Sequence, residues 1–230
     1  MIPDIQVLDD PVSAFTDALL SAVRGGGHVA LTGGSTPRTS YELAAKTPEA
    51  FSGARLWFGD ERCVPPDDER SNYAMVKAAL LDPLSAAGVQ FSCWRMKGEL
   101  GPEAGALDYE RELQEAGAPP FSLVVLGLGP DAHTLSLFPG QATLSERSRT
   151  VVGVPVAGHE PFVPRISFTL PVLAETERVI LMATGASKVD AVVKAFGPGA
   201  RPSPEVPASM LVEFAQSLTV LLDHDAAAGL

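Results

Sequence analysis

Cysteine is scarce in this chain. Its 230 residues include only Cys63 and Cys93, and neither belongs to a CxxC pair. The spacing therefore predicts neither a disulfide framework nor a zinc site, and two reduced thiols are typical of a cytosolic protein. The N-terminal segment MIPDIQVLDD lacks the basic and apolar regions of a signal peptide. No apolar run approaches membrane-spanning length. We therefore expect a cytoplasmic protein without membrane contact.

Basic residues are also few. The chain has 17 Lys and Arg against 28 Asp and Glu, which gives a formal net charge of -11. An acidic protein repels the phosphate backbone, so we expect no nucleic-acid partner. A small anionic ligand would need a local cluster of cations acting against this global charge. The sequence does not determine the oligomeric state, and a monomer is compatible with it.

Apolar residues are abundant, at 46% of the chain, so a substantial core can form. Short apolar runs alternate with segments of helical periodicity. The runs that predict strands are HVALTGG, ARLWFGD, FSLVVLGLG, RISFTL, ERVILMATG and SLTVLLD. This alternation predicts an α/β fold with a mainly parallel sheet and helices on both faces, formed by residues 1–230 as a single domain. In such folds, ligands bind at the carboxyl ends of the strands.

The stretch LGLGPDAHTLSLFPG, residues 126–140, follows the strongest predicted strand. GLGPDA matches the dinucleotide pattern G-x-G-x-x-A. However, Pro139 and Gly140 stop any following helix, and no suitably placed acid follows, so we expect no dinucleotide cofactor. The two glycines could instead leave Asp131 and His133 projecting from the strand end, with His133 as a general base. Equally, His133 could cap the next segment, and the local sequence leaves both interpretations open.

The stretch LTGGSTPR, residues 31–38, is a second candidate site. Gly33 and Gly34 would let a ligand approach the backbone, and Ser35 and Thr36 offer hydroxyl groups. Free N–H groups at the start of the next helix complete a typical anion site. The same residues also suit an ordinary strand-to-helix turn, with Thr36 as the N-cap before Pro37.

Charged residues end another predicted strand in FGDERCVPPDDERSNY, residues 58–73. Arg62 could bind a phosphate in a bidentate way, or it could pair with Asp60 or Glu61. Arg165 and Lys188 lie near other predicted strand ends. Singly, each is typical of a surface charge, whereas together with Arg62 they would form the cationic cluster that an anionic substrate requires.

The other three histidines suggest no site. His28 precedes a strand, His159 lies in a loop rich in glycine and proline, and His224 is near the C-terminus. We interpret all three as surface residues.

Five segments occur together in a fixed order: TGGSTP, FGDERCVP…SNY, LGLGPDAHTLSLFPG, PRISFTLPVL and TGASKVDAV. In this combination the chain resembles the 6-phosphogluconolactonase family, which is similar in fold to glucosamine-6-phosphate deaminases. The resemblance implies a layered, Rossmann-like fold without a dinucleotide site. It also implies hydrolysis of 6-phospho-D-glucono-1,5-lactone to 6-phospho-D-gluconate, the second step of the oxidative pentose phosphate pathway, without a metal or organic cofactor.

The same resemblance implies roles for individual residues. The family's D-G-H-T segment is Asp131 to Thr134 here, which makes His133 the expected water-activating base with Asp131 beside it. The residues expected to bind substrate are Gly33, Gly34, Ser35, Thr36, Asp60, Arg62, Asn72, Gly129, Arg165 and Lys188. The chain departs from the family at Ala132, where the usual residue is glycine; alanine would strain the turn if this position needs positive φ.

Two other functions are compatible with these segments. A sugar-phosphate deaminase or isomerase of the same fold continues after D-G-H to N-E-P, whereas this chain has SLFPG, with Phe138 in place of the glutamate. A non-catalytic sugar-phosphate sensor would keep the binding turns but would not need both Asp131 and His133.

Overall fold

The computed structural model describes residues 1–230. Its strands are β1 (Asp4–Val7), β2 (His28–Leu31), β3 (Arg55–Phe58), β4 (Asp60–Arg62), β5 (Ser92–Cys93), β6 (Phe121–Gly127), β7 (Val151–Val154), β8 (Arg165–Phe168), β9 (Val179–Ala183) and β10 (Leu218–Leu222). Its helices are α1 (Pro11–Arg24), α2 (Ser35–Ala44), α3 (Asn72–Val76), α4 (Asp82–Ala86), α5 (Pro102–Ala116), α6 (Val189–Phe196) and α7 (Leu211–Phe214). Short 3₁₀ turns connect several of them, and one π-helical turn, Lys77–Leu81, joins α3 to α4. No helix has both the length and the apolar character needed to cross a bilayer.

The main sheet has seven strands in the order β1-β10-β9-β6-β2-β3-β5. All six pairings between neighbours are parallel, which confirms the predicted parallel sheet. The five inner strands are buried by helices, so their sequences are nearly continuous apolar runs rather than alternating ones, whereas the edge strands β1 and β5 are more exposed.

Both faces of this sheet are covered, as predicted. In β6, Leu123 and Val125 pack into the core beneath α1 to α4, whereas Val124 and Leu126 pack into the core beneath α5, α6 and α7. Successive strand residues point to opposite faces, so one apolar strand supplies both cores.

A second, antiparallel sheet was not predicted. It has the order β4-β8-β7 and covers one end of the main sheet. The segment ARLWFGD, predicted above as one strand, divides at Gly59. There the backbone N–H donates to the carbonyl of Leu31 in the main sheet, and the carbonyl accepts from the N–H of Phe168 in the small sheet. This crossing places β4 at the carboxyl end of β3.

His28 is buried, not on the surface as predicted. Only 7% of the residue is exposed, and its Nδ1 atom accepts a hydrogen bond of 2.9 Å from the Trp57 indole N–H. Burial and the charge of Arg55 lower the pKa of His28. His28 is therefore a core residue that accepts the hydrogen bond of the buried Trp57 indole N–H.

The start of α2 also differs from the prediction. The helix begins at Ser35, and its N-cap is Gly34, with φ 111°, so Thr36 lies inside the first turn. No side chain caps this helix. The Thr36 hydroxyl instead lies 3.2 Å from that of Thr184. By contrast, Ser71 is the N-cap of α3, and its hydroxyl accepts from the N–H of Ala74.

Candidate active site

A cavity of about 230 Å³ opens where β2, β6 and β9 end and the small sheet covers them. This is the edge at which parallel α/β sheets bind ligands. Its lining residues are Thr32, Gly33, Gly34, Asp60, Arg62, Asn72, Gly127, Leu128, Gly129, Pro130, His133, Leu135, His159, Glu160, Arg165 and Lys188. Eight of the ten residues expected to bind substrate therefore lie on its wall. Ser35 is exposed outside it, and Thr36 is engaged with Thr184.

His133 and Asp131 form a hydrogen-bonded pair on the turn after β6. The Nδ1 atom of His133 lies 2.5 Å from Oδ1 of Asp131, and the His133 backbone N–H donates to the same oxygen at 3.2 Å. A carboxylate only accepts hydrogen bonds, so in the neutral imidazole Nδ1 carries the proton and Nε2 has the free lone pair. The His133 side chain is 18% exposed. Its Nε2 atom is thus the basic atom of this pair.

The environment keeps Asp131 ionised. Burial acts to raise the pKa of this carboxyl, but the hydrogen bond and charge of His133 outweigh that effect, so its pKa lies below the ordinary value of 3.8. A carboxylate at this position fixes the tautomer of the imidazole and stabilises the imidazolium form.

The backbone of this turn is tightly constrained. The Gly129 N–H donates to the His133 carbonyl at 2.8 Å. A Cβ atom at position 129 would overlap the His133 ring, so the pair requires glycine there. Ala132 has φ 64° and is fully buried. This position therefore takes the left-handed conformation that favours glycine, and alanine is strained in it.

Asp60 and Asn72 form a buried network on the opposite wall. The Asp60 carboxylate accepts a hydrogen bond of 2.7 Å from the Ser136 hydroxyl. The Asn72 amide nitrogen donates to the Asp60 carbonyl at 2.9 Å and faces its carboxylate at 3.3 Å. Both partners are acceptors, which fixes the orientation of the amide. A Cβ atom at Gly33 would overlap Asn72, so the glycine turn and this network are packed against each other.

Glu61 has a structural role that the sequence did not reveal. Its carboxylate accepts from the N–H groups of Asn72 and Tyr73 at 2.7 and 2.8 Å and from the Ser71 hydroxyl at 2.9 Å. These donors lie at the start of α3, where helix N–H groups lack partners within the helix. Glu61 therefore holds α3 against β4 and does not pair with the Arg62 guanidinium.

Three cations reach the same cavity. Arg62 and Arg165 are direct cross-strand partners in the pairing of β4 with β8. Like charges at facing positions repel each other, and burial together with the Arg62 charge lowers the pKa of Arg165 to about 10. Lys188, before α6, donates to the Leu128 carbonyl at 2.6 Å. Burial lowers its pKa, although the charge of Asp131 acts in the opposite direction. An anionic ligand would relieve this repulsion.

Arg165 also holds the segment 155–164, which connects β7 to β8 and borders the cavity. Its guanidinium donates to the carbonyls of Pro161 at 2.7 Å, Val163 at 3.1 Å and His159 at 3.2 Å. The segment carries two cavity-lining residues that the sequence interpretation missed, His159 and Glu160. His159 is half-buried, and its ring centroid lies 5.7 Å from that of His133. The sequence interpretation had given His159 no place in a site, whereas the structure puts it at the cavity.

Among all described residues, no three His, Cys, Asp or Glu side chains are arranged to hold a metal ion. The two cysteines are unpaired. Burial raises the pKa of the Cys63 thiol to about 11 and that of Cys93 to about 12. Neither thiol lines the cavity. The ionisable groups that line it are imidazole, carboxylate and cationic groups.

Comparison with known proteins identifies relatives that cover most of this chain. The family model described as "Glucosamine-6-phosphate isomerases/6-phosphogluconolactonase" matches residues 6–220. The 6-phosphogluconolactonase of Mycobacterium bovis is 36% identical over 226 residues, which cover 91% of this chain and 87% of the relative. The solved 6-phosphogluconolactonase from Trypanosoma cruzi has a TM-score of 0.84 at 27% identity, covering 100% of this chain and 98% of that one. A monomeric glucosamine-6-phosphate deaminase, with a TM-score of 0.83 at 17% identity, shares the fold.

Proposed function

Because the chain belongs to the family of glucosamine-6-phosphate isomerases and 6-phosphogluconolactonases, we propose that it hydrolyses 6-phospho-D-glucono-1,5-lactone to 6-phospho-D-gluconate. The observation that carries this proposal is that His133, hydrogen-bonded to Asp131, lines one cavity with Arg62, Arg165 and Lys188. A proton acceptor and a cluster of cations in one cavity suit a substrate that has a reactive carbonyl and a phosphate.

His133 activates water in this mechanism. Its Nε2 atom takes a proton from a water molecule as the water oxygen attacks C1 of the lactone. The O–H bond of the water breaks, a C–O bond forms, and the carbonyl π electrons move onto the carbonyl oxygen. Asp131 holds the ring in the required tautomer and stabilises the positive charge that the imidazole acquires.

The same imidazole completes the reaction. When the tetrahedral intermediate collapses, the bond between C1 and the ring oxygen breaks, and the proton on Nε2 passes to that oxygen. One proton is thus taken and returned, and no covalent enzyme intermediate is needed. The negative charge on the former carbonyl oxygen is stabilised by N–H donors of the cavity.

The three cations bind the 6-phosphate. Their local positive charge opposes the formal net charge of -11 and gives the cavity its preference for an anion. A bound phosphate holds the other end of the sugar near Nε2 of His133, and this positioning lowers the entropic part of the barrier. The glycines at 33, 34 and 129 keep the backbone close to the substrate.

The residue at position 138 favours lactone hydrolysis over deamination. Phe138 is buried, and its ring centroid lies 4.7 Å from that of His133. The deaminase interpretation requires a glutamate at this position to support the histidine in ring opening. Here the histidine contacts an apolar ring instead.

We further propose that residues 1–230 act as a single lactonase domain in the cytoplasm, without a nucleic-acid partner. The two free cysteines support a reducing compartment, and the acidic composition supports the absence of nucleic acid.

A direct assay tests the function. Freshly generated 6-phosphogluconolactone is supplied, and formation of 6-phosphogluconate is measured and corrected for spontaneous hydrolysis. We expect catalysed hydrolysis by the wild-type chain and no ammonia release from glucosamine-6-phosphate. Tight binding of 6-phosphogluconate without any turnover of the lactone would identify a sensor instead.

A further inference from the structure

His159 presents a second imidazole to the reaction cavity. Its ring centroid lies 5.7 Å from that of His133, and the ring planes are inclined at 46°. Both residues line the same cavity. The ring nitrogens have their hydrogen bonds elsewhere, to Asp131 and to the Glu160 carbonyl, and none joins the two rings, so a polar link between them would run through a third molecule.

Both rings present the same kind of nitrogen. The His159 Nδ1 atom lies 3.0 Å from the Glu160 carbonyl oxygen, which only accepts hydrogen bonds. As for His133, the proton of the neutral ring is therefore on Nδ1, and Nε2 keeps the lone pair. The site holds two imidazoles whose Nδ1 atoms have partners in the protein and whose Nε2 atoms have none there.

The position of His159 is fixed by the protein core rather than by a loose loop. Arg165, only 3% exposed, donates to the carbonyls of His159, Pro161 and Val163. These contacts involve backbone atoms of the segment. Removing the His159 side chain therefore leaves the anchor of the segment in place.

We propose that His159 orients the attacking water. This inference rests on the proposed hydrolysis of a lactone. The water donates one hydrogen bond to Nε2 of His133, which takes that proton, and the other to Nε2 of His159, which takes none. A water that donates two hydrogen bonds of about 2.8 Å spans acceptors roughly 4.5–5 Å apart, which fits rings with centroids 5.7 Å apart. With both hydrogens held, an oxygen lone pair is directed at C1.

The kinetics of three variants test this role. For His159→Ala we expect kcat to fall about 10- to 100-fold, as for the loss of one positioning contact, while KM changes less than about twofold. The His159→Gln variant, whose side-chain oxygen can accept in place of Nε2, should recover part of the loss. The control is His224→Ala, which removes a histidine with a side chain 69% exposed and paired with Asp9; it should retain wild-type kcat and KM.

A second control addresses the segment itself. Val156, 71% exposed on the same segment, has no role in the site, so Val156→Ala should also retain wild-type kinetics. An unchanged kcat in His159→Ala, a rise in KM alone, or a glutamine variant as slow as the alanine variant would each overturn the orienting role. If wild-type chain does not hydrolyse the lactone, the proposed function fails as well; if it does and His159→Ala is unaffected, only this inference fails.

Discussion

The Nδ1 atom of His133 lies 2.5 Å from the Oδ1 atom of Asp131, although the two residues are separated by only one position. The turn achieves this contact because Ala132 takes φ 64° and so directs both side chains to the same side. The pair is thus a product of local backbone conformation, and it depends on the residues that maintain that conformation.

We expect His133 and Asp131 to contribute unequally to kcat. We expect His133→Ala to lower kcat by about 10²- to 10⁴-fold, the usual contribution of a general base, with little change in KM. Asp131→Asn keeps the side-chain shape but loses the charge, so kcat should fall less. Steady-state kinetics on the lactone check both values. An active His133→Ala variant would exclude this residue as the base.

Gly129 should be as important as the pair it adjoins. In Gly129→Ala the new methyl group overlaps the His133 ring and displaces it from Asp131. We expect a loss of kcat close to that of His133→Ala, with native circular dichroism and cooperative unfolding. The assignment fails if this variant retains wild-type kcat.

Ala132 provides a test of backbone strain. Alanine in the left-handed region costs about 1–2 kcal/mol. Glycine at this position removes that cost, but its greater freedom in the unfolded chain cancels part of the gain in stability. Ala132→Gly should therefore raise the free energy of unfolding by about 0.5–1 kcal/mol. The matched control is Ala104→Gly at an exposed position in α5, which should lower stability by a similar amount. Denaturant unfolding measures both, and a destabilised Ala132→Gly variant would contradict the strain.

Lys188 should make ligand binding sensitive to alkaline pH. Burial lowers the pKa of this ammonium below its ordinary 10.5, so it loses its charge at a lower pH than an exposed lysine does. Because the phosphate needs the charged form, the Kd for 6-phosphogluconate should rise with increasing pH below 10.5, the ordinary value for lysine. Lys188→Arg keeps its charge over this range and should flatten the profile. Calorimetric titration at each pH measures Kd; parallel profiles for the two proteins would refute the assignment.

We expect the pair Arg62 and Arg165 to favour binding of an anion but to lower the stability of the protein when no anion is bound. Arg62 and Arg165 face each other across two strands, and their repulsion opposes folding when no anion is bound. Arg62→Met should therefore raise KM about tenfold or more while leaving the melting temperature unchanged or higher. Inorganic phosphate should raise the melting temperature of wild-type more than that of the variant. A large fall in the melting temperature of Arg62→Met would show that this arginine acts chiefly in folding.

The main sheet could be predicted because each strand and helix carries its own periodicity. FSLVVLGLG, for example, predicts a buried strand without reference to any other segment, and β6 occupies it. The small sheet could not be predicted in this way. Asp60–Arg62 pairs with Arg165–Ser167, which lie far away in the chain, and no local pattern encodes such a pairing.

The site residues also divide into those that a local sequence pattern predicts and those that are placed by contacts with distant parts of the chain. His133, Asp131 and the glycine turns lie at the ends of recognisable strands, so their place in a site could be predicted. His159 lies in a segment without periodicity, and its position is determined by carbonyl contacts with Arg165. Glu61 could not be separated from Asp60 by sequence, because only the packing of α3 against β4 distinguishes them.

The crossing of the chain at Gly59 has a consequence for how this enzyme can change. The acid–base pair follows the large sheet, whereas both arginines belong to the small one, and Gly59 is one of the points at which the chain passes between the two sheets. Arg165 of β8 also holds the His159 backbone, and Asp60 of β4 accepts from the Ser136 hydroxyl three residues after His133. An alteration in the small sheet that changes which charged sugar binds therefore also reaches the residues around the proton acceptor, so the architecture couples the choice of substrate to the chemistry performed on it.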